Sequence, residues 1–244
     1  MKAQLIIIFS LMTLMVAGQP DADEIIRKVD ENMTAETIES EEKMIVYGRR
    51  STRTMTSHSF ARGDKEAFTE YLSPPREQGT KMLKLEDRLW IYSPSTDRTI
   101  QISGHMLRQS VMGSDMSYED VMEERELLEI YNAEIVGEET INGRKTWVIE
   151  LNAKVDDATY ESRKTWVDQE RHIPLKEQLY AKSGQLLKRV ELSEVKKFDN
   201  RWYPTKMNYK DVLKEGKGTD FIIIDIKFNH EIPEYIFSKA SLKK

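Results

Sequence analysis

The chain of 244 residues contains no cysteine. This excludes disulfides and thiolate metal sites, as well as the acylated cysteine that anchors a bacterial lipoprotein, so a secreted protein of this composition must rely on its apolar core alone. Histidine is scarce: His58, His105, His172 and His230 are scattered, with no two at ligand spacing on a helix. The stretch HEIPE at 230–234 has half of a zinc-hydrolase motif, but the second histidine is missing and Pro233 would break the helix that the motif needs. There is no phosphate-cradling glycine loop, no dinucleotide fingerprint and no Gly-x-Ser-x-Gly elbow. No metal, cofactor or catalytic residue is therefore expected. Basic charge is in deficit, with 37 Lys and Arg against 42 Asp and Glu and a net charge of −5, which argues against nucleic acid as a partner.

Long apolar runs are also lacking, apart from Leu5 to Val16. That run follows a positive end at Lys2, precedes the small residues Ala17 and Gly18, and is too short to span a bilayer. Residues 1–18 read as a cleaved secretory signal peptide and 19–244 as a single domain. The mature protein is expected to be exported and, having no cysteine, not lipidated.

In the mature chain, Asp21 can cap a helix that carries Ile25, Ile26, Val29 and Met33 at helical spacing. From residue 38 onward, short alternating segments rich in Thr, Val and aromatics are separated by turn signals such as Asn142-Gly143 and Ser183-Gly184. The connections are too short for crossover helices, so the reading is a long antiparallel meander of about ten strands. A twisted sheet of that width curls, either into a closed barrel or into an open one whose concave face needs a cover. In the last segment, TDFIIIDIKFN, residues Ile222, Ile224, Ile226 and Phe228 read as one clean face.

One stretch breaks the alternation. GHMLRQSVMGSDMSYEDV at 104–121 is helix-prone and, with Met122, holds four of the twelve methionines. Methionine is flexible and polarizable, which suits a surface that repacks against variable apolar partners. From spacing alone, a barrel plug and an adaptable cover are equally good readings. Adjacent acids such as Glu41-Glu42 point to opposite faces of a strand and cannot share a substrate, although a pair assembled from distant strands stays open. Arg49, Arg50 and Arg53 form one basic cluster, and any arginine that points into the concavity, Arg62 included, would need a partner on the cover.

The segments YLSPPREQGTKML (71–83), LWIYSPSTDRTIQIS (89–103), MGSDMSYEDV (112–121), WVDQERHIPLKEQLYAKSG (166–184) and PTKM (204–207) resemble, in this order, the outer-membrane lipoprotein-sorting protein family, the LolA-like group. The resemblance spans nearly the whole mature chain. It implies a mainly β fold: a strongly curved, incomplete antiparallel barrel whose concave face is covered by the N-terminal helix and a central helical lid. It also implies a periplasmic carrier that holds the acyl chains of a lipoprotein or lipid and moves between an inner-membrane exporter and an outer-membrane acceptor, acting as a monomer, with an arginine that latches the lid. On this reading the cavity is lined by Leu83, Leu85, Trp90, Tyr92, Ile100 and Ile102 on strands. The lid would contribute Met106, Leu107, Val111, Met112, Met116 and Val121, with Gly113 as its hinge and Asp115 capping a short helix near Met116. Two alternatives stand beside it: an envelope sensing module that binds a membrane protein, since such regulators share the fold, and an envelope hydrolase.

Overall fold

The structure, a computed structural model, describes residues 20–49, 51–123 and 125–243. The segment 1–18, expected to be a leader, and Arg50 lie outside the described residues. Helix α1 (Ala22–Met33) begins as its sequence dictates: the Asp21 carboxylate accepts from the Asp23 amide at 3.1 Å. Its apolar stripe, Ile25, Ile26 and Val29, is buried.

The strands are β1 (Thr37–Tyr47), β2 (Thr52–Arg62), β3 (Glu66–Ser73), β4 (Lys81–Leu85), β5 (Arg88–Ser93), β6 (Arg98–Ile102), β7 (Tyr131–Ile141), β8 (Arg144–Ala153), β9 (Ser162–Asp168), β10 (Pro174–Tyr180), β11 (Leu186–Phe198), β12 (Arg201–Asp211) and β13 (Gly218–Phe228). They form one open antiparallel sheet, a curved and incomplete barrel. It has 13 strands rather than about ten, because every alternating segment of the sequence finds a partner. The tight turns carry the residues their geometry requires; between β7 and β8, Asn142 and Gly143 have φ of 49° and 78°, the left-handed region that Asn and Gly tolerate.

The order is not that of a single meander. Strand β1 pairs with β13 in the middle of the sheet, and the free edges are β6 and β7, which are consecutive in sequence. Residues 103–130 must therefore cross the open side from one edge to the other. They do so through two 3-10 turns (Gly104–Arg108 and Val111–Gly113) and two short helices, α2 (Tyr118–Met122) and α3 (Leu127–Ile130).

Apolar clusters lie on both faces. On the inner face, α1 packs with Ile130 and Tyr131 on Ile149, Leu151 and Val167 of β8 and β9. Full burial of side chains this size contributes roughly 1.5–3 kcal/mol each. On the outer face, Phe68, Leu83 and Trp90 are covered by a C-terminal segment whose Leu242 is 1% exposed. In β13 the clean face expected from the sequence is interrupted. The register against β1 slips between Glu41 and Glu42, so that Ile224 has no opposite residue and is exposed, while Phe221, Ile223 and Ile226 share the inward side.

Candidate functional site

Between the lid, the end of α1 and the inner face of the sheet lies a cavity of about 300 Å³. Met33 of α1, Met44 of β1, Met82 of β4, Met116 of the lid and Met207 of β12 all line it, so five elements far apart in sequence each contribute one methionine. Tyr71, Val111, Val121, Leu192 and Phe221 complete its apolar wall. The volume is at the lower end of the range for small-ligand sites, roughly 300–1,000 Å³.

One carboxyl interrupts the apolar lining. Glu42 lies opposite the β13 bulge, and Ser40 Oγ donates to it at 2.7 Å. Burial pushes its pKa up, because a charge is costly in such surroundings. Tyr203 nearby is pushed up to about 12, by burial first and by the Glu42 charge second.

The lid is held by side chains rather than by strand pairing. Its GSD motif is an anchor. The Asp115 amide donates to Thr219 Oγ1 at 3.0 Å, Thr219 Oγ1 donates back to Asp115 Oδ2 at 3.0 Å, and the Asp211 amide donates to Asp115 Oδ1 at 3.0 Å. Lys188 Nζ reaches the Asp115 carbonyl at 2.9 Å, and Lys214 Nζ the Ser114 carbonyl at 2.9 Å. On the other side, Arg53 Nη2 donates to the Met112 carbonyl at 2.9 Å. Gly113 leaves room for that guanidinium: a Cβ there would sit 2.5 Å from Arg53 Nη2. The expectation that Asp115 caps the lid helix is thus corrected. Ser117 caps α2, its hydroxyl accepting from the Asp120 amide at 3.3 Å while its own amide donates to Asp120 Oδ2 at 2.7 Å. Asp115 lies two residues too early and faces β12 and β13.

Of the arginines weighed from sequence that are among the described residues, Arg53 is the one on the lid. Arg49 pairs with Glu215 at 3.1 Å, and Arg62 pairs with Glu66 and stacks on Phe237.

The expected lining divides. Val111, Met116 and Val121 border the cavity. Ile102, Met106, Leu107 and Met112 pack beside it with Leu89 and Tyr118, and Ile100, on the same side of the edge strand β6, is 50% exposed. Leu83, Leu85, Trp90 and Tyr92 do not line it. They pack on the outer face with Phe68, Ile236 and Leu242. The reason is phase: β4 and β5 carry apolar residues on both faces, and the inward set is Met82, Leu89 and Ile91, so period two alone does not choose between them. Lysine does not settle the choice either. Buried Lys81 reaches the Ser241 carbonyl on the outer side at 3.4 Å, and Lys84 reaches the Val121 carbonyl on the lid side at 3.3 Å. Met33, Met44, Met82 and Met207 were missed, since only the convergence of their elements marks them. Two scattered histidines also converge: Nε2 of His58 and of His230 lie 2.9 Å and 2.8 Å from the two oxygens of Glu39.

Residues 63–244 match the model of a family described as "-like: Uncharacterized protein". No curated protein matches the chain. Among solved structures, a domain named for outer-membrane lipoprotein sorting, from Vibrio parahaemolyticus, superposes with a TM-score of 0.80 at 24% identity, covering 92% of this chain and 100% of that one. A DUF1329 family protein from Desulfovibrio piger gives 0.82 at 21% identity over 90% and 96% of the two chains. A LolA superfamily protein from Nitrosomonas europaea gives 0.71 at 22% over 91% and 100%. Among the described residues, no helix is long and apolar enough to cross a membrane.

Proposed function

The chain belongs to the family matched over residues 63–244 and has the LolA-like fold, and from that premise we propose that it is a periplasmic carrier that encloses the acyl chain of a lipid or lipoprotein beneath its lid. Residues 19–244 act as one lipid-binding domain after removal of a leader at 1–18. A donor at the inner membrane and an acceptor at the outer membrane complete the route.

The observation that carries this reading is the convergence of five methionines on one cavity. Unbranched thioether side chains repack around chains of different length and unsaturation at small cost, which a carrier needs and a rigid core avoids. Each methylene moved from water into the cavity contributes about 0.8 kcal/mol. A raised pKa favours the neutral form of Glu42, which then adds no charge to the apolar lining. Release follows from how the lid is attached. Opening it breaks bonds at exposed groups such as Lys214 and Arg53 and at the buried Asp115, Lys84 and Tyr160, while the sheet ladder stays whole.

The test is direct. Protein purified from its native envelope is extracted with organic solvent and the extract analysed by mass spectrometry, and the emptied protein is titrated with a fluorescent fatty acid. A stoichiometric acylated species and saturable uptake are expected. Met207→Asp should cut uptake at least tenfold with an unchanged circular dichroism spectrum. Absence of both bound lipid and uptake would sink the proposal.

A further inference from the structure

Next to the methionine-lined cavity, and sharing Met116 and Met207 with it, a pocket of about 140 Å³ opens between the lid and strands β9 to β12. Its lining is charged. Arg163 of β9 and Glu177 of β10 stand on the inner face, joined by Tyr160 and Tyr209 and, from the lid, by Asp120 and by Glu123, whose carboxylate is held by Arg125. The Arg163 guanidinium lies over the rings of Tyr131 and Tyr160, 5.4 Å and 5.6 Å from their centres, and its Nε donates to the Tyr131 hydroxyl at 3.2 Å. The Tyr160 hydroxyl donates to Asp120 Oδ1, which ties this wall to the lid.

Arg163 and Glu177 face each other without closing an ion pair. Among the described residues, the Glu177 carboxylate makes no hydrogen bond, and the guanidinium donates only through Nε, leaving its two terminal nitrogens for an occupant. Burial pushes the Glu177 carboxyl up and the charge of Arg163 pulls it down. Both side chains are half-buried, so each charge is partly desolvated without closing on the other, a cost that an occupant carrying both signs would offset. The apolar cavity beside them receives, on the reading above, the rest of the same molecule.

We propose that this pocket binds the zwitterionic head group of an amphiphile, its phosphate or carboxylate on Arg163 and its primary amine on Glu177, with the attached chain in the methionine-lined cavity. The inference rests on the acyl-carrier reading and narrows it to aminolipids. It also links cargo to closure, because Asp120 belongs both to the pocket wall and to the capping box of the lid helix.

The experiment is calorimetric titration of the full chain with four probes: lysophosphatidylethanolamine, lysophosphatidylglycerol and a fatty alcohol, all of one chain length, and free phosphoethanolamine. Charge-assisted contacts lead us to expect the ethanolamine lysolipid to bind about tenfold more tightly than either other chain-bearing probe. Arg163→Met should bring both lysolipids to the affinity of the alcohol and leave the alcohol unchanged. The near-isosteric Glu177→Gln should remove the preference for ethanolamine over glycerol alone, which keeps the proposal testable if the arginine variant folds poorly. Equal affinity for all three chain-bearing probes, or a Glu177→Gln variant with unaltered preference, overturns the head-group site and leaves the acyl-carrier reading standing. Free phosphoethanolamine binding as tightly as the lysolipid also overturns it, by making the occupant a soluble zwitterion. Failure of every chain-bearing probe to bind overturns the carrier reading itself.

Discussion

Replacing Asp115 by alanine should detach the lid and leave the sheet folded. Asp115 is 6% exposed and Thr219 is fully buried, so the substitution leaves the Thr219 hydroxyl and the Asp211 amide without their acceptor, and Lys210, 3.8 Å from the carboxylate, without its counter-charge. Each orphaned buried donor costs about 1–3 kcal/mol. Because the lid relaxes and water enters, the closed state should lose about 3 kcal/mol, which corresponds to an opening equilibrium raised roughly a hundredfold. Hydrogen exchange read by mass spectrometry measures this. Amides of residues 106–122 should exchange roughly a hundredfold faster in the variant, while β9 to β12 change by less than about threefold. Asp115→Asn keeps an acceptor for the Asp211 amide and should show a smaller effect. Thr219→Val should be strongly non-additive with Asp115→Ala, since both remove the same bond. Unchanged lid exchange in Asp115→Ala would refute the anchor. Equal loss of protection in lid and sheet would refute the separability of the two on which release depends.

Three further outcomes can be checked. Asp30, on the last turn of α1, is pushed up to about 6 by burial first and by nearby Glu126 and Asp64, against a bond from the Leu127 amide. The folded carboxyl holds its proton more tightly than the unfolded one, so its contribution is fully present below the unfolded value near 3.8 and is lost as pH rises through about 6. Asp30→Asn should therefore stabilise the protein by about 1 kcal/mol at pH 7.5, discounted for partial exposure, and give no gain near pH 4 in urea melts. Gly113→Ala puts a Cβ at φ +73° against Arg53 Nη2; Arg53 must swing off the Met112 carbonyl, and lid amides should exchange about tenfold faster with the melting temperature nearly unchanged. Leu242→Ala should destabilise the whole domain by about 2–4 kcal/mol in denaturant melts, because it opens the outer cluster over Trp90.

The fold was legible from local rules. Turn residues such as Asn142-Gly143 mark where strands end, alternation marks the strands, and the capped, amphipathic 22–33 stretch marks the helix, because each of these depends on residues within a few positions of one another. The break at 104–121 could likewise be located, although local pattern left a plug and a cover equally open and the resemblance chose the cover. Its role in bridging the two sheet edges was not legible, since that follows from β1 pairing with β13 across nearly the whole chain.

The site was less legible than the fold. Arg53 could be picked out only as one of a cluster of basic residues, and Asp115 was read as a helix cap because its partners, Thr219 and Asp211, are about a hundred residues away. The choice of Leu83 and Trp90 over Met82 and Ile91 failed because both faces of β4 and β5 are buried, one by the lid and the other by the C-terminal segment, and a strand's period does not say which cover lies on which side. By itself, the sequence determined the strands, the helix, the break at 104–121 and, through resemblance, the cover and the family of folds, all of which are written in local pattern and motif order. Only the tertiary structure decided which methionines meet, which arginine reaches the lid and where Arg163 stands opposite Glu177, because cavities are made by elements that share space and not sequence.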